Sequence, residues 1–130
     1  VIYLKRYVAI LSVLAFAIVL MNYSFVSADA AKGQATFNDS KAGNCKTCHD
    51  TGDKKKVGPG LKGATDRASK EWLTEWLTDP QGTWAKNDAT TQDLKKRMNK
   101  ADKPNTAMKL PTKLSAEQVA DLIDYLATLK

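Results

Sequence analysis

Two cysteines and one histidine are all the thiol and imidazole chemistry this 130-residue chain contains, and they sit together in Cys45-Lys46-Thr47-Cys48-His49. The spacing C-x-x-C-H is the attachment signature of a c-type haem. In that chemistry the two thiols add across the porphyrin vinyl groups as thioethers. Two intervening residues let one backbone turn present both sulfurs to one ring edge, and the next residue, His49, is carried beneath the iron as a ligand. Three other readings of the motif remain open. A thioredoxin-type dithiol belongs on a βαβ scaffold, and no strand pattern is visible. A structural zinc site takes four Cys or His ligands, and three are present. A plain disulfide is the third.

Downstream of the motif stand Gly58-Pro59-Gly60-Leu61 and then Met108, shortly before a Leu114-Ser115 helix start. With Cys45, Cys48 and His49, these residues resemble those of a class I c-type cytochrome of the mitochondrial and bacterial kind, from about Ala30 to Lys130. The resemblance implies an all-α fold, a small helical domain wrapped around one covalent haem c and its iron. It implies that the Pro59 carbonyl accepts the second ring N–H of His49, that Leu61 packs near the haem, and that Met108 is the distal thioether ligand. The metal ligands would then be His49 and Met108. This chain departs from the common form in having Lys109 after the methionine, where many relatives have proline.

The residues themselves leave the sixth ligand open. A bis-His iron within one chain is excluded by the single His. Met98 falls four residues from Leu94 in a helical pattern, where a Met usually packs; Met108 falls in a loop. A thioether ligand favours Fe(II) and raises the potential. With both axial positions filled, the iron shuttles electrons and is not expected to act as an enzyme. A haem sensor or peroxidase-like enzyme with a labile distal ligand is the alternative.

The elements that must hold these groups read as helices throughout. Ala30 to Asn38 is a short helix with Gly33 and Phe37 on one face. The resemblance places a crossing with the last helix at that glycine, against Leu122, Tyr125 and Leu126. Ser69 caps a helix reaching Asp79, with Trp72, Leu73, Trp76 and Leu77 as a broad apolar stripe. Trp72 and Trp76 are assigned to the core; an indole N–H reaching a haem propionate, from these or from Trp84, is the lesser reading. Asp79-Pro80 stops the helix. Gln81 to Thr90 reads as loop and Thr91 to Lys100 as a short basic helix. Ser115-Ala116-Glu117-Gln118 is a capping box. It opens a final helix whose Val119, Leu122, Ile123, Leu126 and Leu129 form one apolar face.

Residues 1–28 read as a secretory signal: Lys5 and Arg6, an apolar run, then Val26-Ser27-Ala28 before a cut. Ala28-Asp29-Ala30 offers a second cut. The competing reading is an uncleaved anchor, since the run approaches the roughly 20 residues of a spanning helix. A cut after Ala28 leaves one domain of residues 29–130 with a formal charge of +4, down from +6. Export suits covalent haem attachment, which in bacteria occurs outside the cytoplasmic membrane, so the expected location is the periplasm. The basic balance and Lys54-Lys55-Lys56 suggest either a solvated loop or a positive rim that steers redox partners with acidic docking surfaces. No nucleic-acid partner is expected. A membrane enters only as the uncleaved anchor or through membrane-bound redox complexes.

Overall fold

The structure is a computed structural model that describes residues 28–130. Residues 1–27 of the leader, read above as a signal or an anchor, lie outside them. Among the described residues there is no strand, and no helix is long and apolar enough to cross a membrane. The all-α expectation therefore holds.

Seven helices are described. They are α1 (Ala30–Asn38), α2 (Cys45–Cys48), α3 (Ala64–Arg67), α4 (Lys70–Thr78), α5 (Pro80–Lys86), α6 (Ala89–Arg97) and α7 (Ala116–Ala127). α7 is the axis of packing. Its capping box is formed at both ends: the Gln118 amide donates to Ser115 Oγ at 3.1 Å, and the Ser115 amide donates to Gln118 Oε1 at 2.9 Å. Val119, Leu122, Ile123, Tyr125 and Leu126 are buried along it, the stripe that a 3.6-residue period produces.

α1 crosses α7 at Gly33, whose missing side chain lets the helices meet backbone to backbone against Asp121. Phe37 and Tyr125 meet edge to face beside the crossing, with centroids 5.4 Å apart. Of the expected neighbours Tyr125 lies at the crossing, and the closest approach to Gly33 is the backbone of Asp121, which was not among them. Asp121 is buried, and its Oδ1 accepts the Asp29 amide at 2.7 Å, which ties the start of α1 to the middle of α7.

Two sequence expectations are corrected between α4 and α7. The segment read as loop from Gln81 contains α5. Pro80 ends α4 but begins α5, because a proline at the first helical position lacks only an N–H that has no partner there anyway. Asp79 serves both helices: its amide donates to the Glu75 carbonyl, and its carboxylate accepts the Gly82 amide at 2.9 Å. The basic helix also begins earlier than expected, at Ala89, because Asp88 caps it by accepting the Thr91 amide at 2.8 Å. It ends at Arg97. Asn99 adopts a left-handed φ of 53°, the Asn99 amide donates to Lys96 O, and the Lys100 amide donates to Lys95 O. That is a Schellman closure, with asparagine in place of glycine.

Candidate functional site

The motif Cys45 to His49 is one helical turn followed by an extended residue. The His49 amide donates to Cys45 O at 2.9 Å, which closes α2, and His49 then leaves the helix with φ −120° and ψ 141°. Both cysteines are therefore on one short turn while the imidazole is carried away from it. The following loop folds back onto the motif. The Gly58 amide donates to Cys48 O and the Leu61 amide to Asp50 O, both at 2.9 Å. Those bonds put Gly58-Pro59-Gly60 directly against the His49 ring.

His49 Nδ1 lies 2.9 Å from Pro59 O. A carbonyl only accepts, so Nδ1 carries the proton and Nε2 keeps a free lone pair. Burial pushes the His49 pKa down, the Pro59 bond opposes this, and the Lys56 charge adds to the fall. The ring is thus neutral near pH 7, the form that binds a metal. Gly58 makes the placement feasible: a β-carbon there would stand 2.7 Å from Nδ1 and 2.9 Å from Nε2. The Pro59 contact, implied beforehand only by resemblance, is present.

Cys45, Cys48, His49, Pro59, Leu61 and Met108 all line one cleft. A concave, mostly apolar cleft with a few convergent donor groups is the usual form of a cofactor site. The remaining wall is mostly apolar, from α4, α6 and α7. Its charged residues are Arg67, Arg97, Lys100 and Lys109, with no acid among them.

The alternative readings of the motif fare poorly in this setting. The two cysteines are not joined to each other by a disulfide. Burial pushes the Cys45 thiol up to about 11, so it is not the low-pKa nucleophile of a dithiol oxidoreductase. Among the described residues no group of three or more His, Cys, Asp or Glu side chains is gathered as a metal cage. What the cleft offers is two thiols on one turn, one oriented imidazole lone pair, and thioether sulfur on an apolar wall. Those residues fit a haem.

Met98 and Met108 both line the cleft but are held differently. Met98 is the C-cap of α6, its backbone locked by the Schellman closure, and its side chain is buried in the core. Met108 is half-buried in a loop. Its amide donates to Thr106 Oγ1 at 3.2 Å, and Thr106 is itself clamped by Gln81: Gln81 Nε2 donates to Thr106 O at 2.8 Å and the Thr106 amide donates to Gln81 Oε1 at 3.3 Å. The Gln81 clamp is invisible in the sequence, since its two ends lie 25 residues apart and no local pattern links them. The indole N–H groups find protein partners. Trp72 donates to Asp88 and Thr91, Trp84 to Lys103 O, and Trp76 to the sulfur of Met108.

The lysine run does more than face water. All three lysines are exposed, and Lys55 Nζ reaches Met98 O at 3.4 Å while Lys56 Nζ reaches Lys46 O at 3.3 Å.

The sequence matches the family model described as Cytochrome c over residues 30–130. No curated protein matches it. Among solved structures it is similar to a cytochrome c from Rhodothermus marinus, with a TM-score of 0.57, 22% identity, and coverage of 77% of this chain and 75% of that one. An engineered form of that cytochrome, bound to a carbene intermediate, gives a TM-score of 0.56 at the same identity and coverage. At that identity the likeness is one of fold.

Proposed function

The chain belongs to the cytochrome c family, whose cofactor is one covalently bound haem c with its iron and whose general role is electron transfer, and from that premise we propose that it is a monohaem electron carrier with His49 and Met108 as axial ligands. When bound, the haem supplies a one-electron Fe(III)/Fe(II) couple. Cys45 and Cys48 would hold it as thioethers. The observation that carries the ligand assignment is the His49–Pro59 bond, which fixes the tautomer and leaves Nε2 as the donor. Such a hydrogen bond also raises ligand basicity. Met108 is preferred over Met98 because its loop is braced at the cleft by Thr106 and Gln81, whereas Met98 is committed to the core. Leu61 and the apolar wall exclude water, which supports a raised potential.

Cytochromes of this class are typically exported, and we place this one in the periplasm. Its partners would be redox proteins with acidic docking faces, steered by the cationic lining of the cleft and by Lys54. Such steering weakens as salt shortens the Debye length to about 8 Å at 0.15 M. The carrier has no required catalytic step at the iron.

An optical redox titration of haem-loaded protein tests this reading, with Met98→Ala and Met108→Ala beside it. The expected result is a single one-electron wave. A Met-to-iron charge-transfer band should appear in the oxidised wild type and in Met98→Ala, and vanish in Met108→Ala. High-spin features and ready CO binding by the wild type would instead indicate a sensor or a peroxidase-like enzyme.

A further inference from the structure

Asp121 is buried, at 2% exposure, in the middle of α7. A buried carboxylate is destabilising unless a cation or several donors offset it. None of the ion pairs among the described residues includes Asp121. The nearby cation, Lys32, gives its Nζ to Glu117 at 3.2 Å instead. The one hydrogen bond the Asp121 carboxylate accepts among the described residues comes from the Asp29 backbone nitrogen, 2.7 Å from Oδ1.

That nitrogen is the atom a cut after Ala28 would change. Hydrolysis breaks the Ala28–Asp29 C–N bond. Water supplies the oxygen with which Ala28 leaves as a carboxylate, and the Asp29 nitrogen takes up protons as the new α-ammonium. An α-amine has a pKa of about 7.7–8.0, so it is mainly cationic at neutral pH. The other cut in the sequence, after Ala30, removes Asp29 altogether. α1 would lose its N-cap, whose carboxylate accepts the Ala31 amide at 2.8 Å, and the carbonyl that accepts the Gly33 amide at 2.9 Å. Asp121 would lose its donor. A cut before Ala28 leaves the Asp29 nitrogen a neutral amide. The dipole of α1 disfavours a cation at its start; the carboxylates of Asp29 and Asp121 oppose that.

We propose that the Ala28–Asp29 bond is the processing site of this chain, and that the ammonium released there pairs with Asp121, so that removal of the leader locks α1 onto α7. The inference rests on export through a cleaved leader. Hydrogen bonds to charged groups contribute roughly twice what neutral ones do, so the gain on processing is about tenfold in the folding constant.

Mass spectrometry of the N-terminal peptide tests the site, on haem-loaded protein from a host that exports it. The expected first residue is Asp29 with an unblocked amine. Any other first residue, or a retained leader, overturns the site. Urea midpoints test the pairing in two haem-loaded proteins, one starting at Asp29 and one processed from an altered leader to start at Ala28. Each is made with Asp121 and with Asp121→Asn. The extra residue should lower the midpoint of the Asp121 protein and leave that of Asp121→Asn nearly unchanged. An equal effect on both, or none on either, overturns the pairing. If Asp121→Asn fails to load haem, the two Asp121 proteins decide alone, and equal midpoints overturn it. Protein that starts at Asp29 but carries no haem would contradict the carrier reading and leave the processing site standing.

Discussion

Gly33 and Asp121 touch backbone to backbone: a β-carbon on Gly33 would collide with the Asp121 carbonyl group and lie 2.8 Å from the β-carbon of Tyr125. The contact lets α1 and α7 cross at a distance that no other residue permits. It thereby fixes the first and last of the described helices against each other.

Gly33→Ala sets two effects against each other. Alanine favours a helix interior by about 1 kcal/mol, but the β-carbon meets backbone, which has no rotamer to move to. Overpacking of this kind typically costs about 1–3 kcal/mol, and two helix axes must separate to relieve it. The expected outcome is a net loss of stability, seen as a lower urea midpoint of the haem-loaded protein with unchanged slope. An equal or higher midpoint would mean the crossing is not tight.

Gly58→Ala should strike the site rather than the fold. Its β-carbon would press on the His49 ring and break the Nδ1–H bond to Pro59. Losing such an outer-shell partner typically weakens a metal–ligand bond by about 10–100-fold. Protons compete with iron for the His49 lone pair, so acid should release His49 from the loaded variant at a pH higher by about one to two units, read from the Soret band. An unchanged acid titration would show that the loop yields without moving the ring.

Asp88 links acid stability to the tryptophan platform. Burial pushes its pKa up, but the hydrogen bonds from Thr91 and Trp72, with the Lys86 charge, outweigh that and hold it below the usual carboxylate value. A depressed folded pKa means the unfolded chain binds the proton first as pH falls. The stabilisation is thus fully present above the unfolded pKa of about 3.9 and is lost as pH falls through the lower folded value. Asp88→Asn should narrow its stability gap to wild type over that acid interval, measured by urea midpoints at successive pH. A gap that stays constant to the acid end would show that the charge of Asp88 contributes nothing.

What could be read from residues alone divides along local and non-local lines. α1 and α7 were legible because their signals are local: Ser115 and Gln118 cap within four residues, and the apolar positions of α7 repeat at helical period. The cofactor motif was legible for the same reason, being five consecutive residues. α5 was missed because Asp79-Pro80 marks both a stop and a start, and only the Asp79 bond to Gly82 tells which. The Met108 surroundings were illegible for a different reason. Gln81 and Trp76 reach that loop from 25 and 32 residues away, and no periodicity records which donor meets which acceptor. Trp76 was rightly placed in the core by its stripe, but the direction of its N–H is a property of packing.

The most direct test of the account is peptide mass spectrometry on protein exported by a host able to mature c-type haem. The peptide spanning Cys45 to His49 should carry the mass of one haem, and neither cysteine should react with a thiol alkylating reagent. A peptide of unmodified mass, alkylated at Cys45 and Cys48, would contradict it.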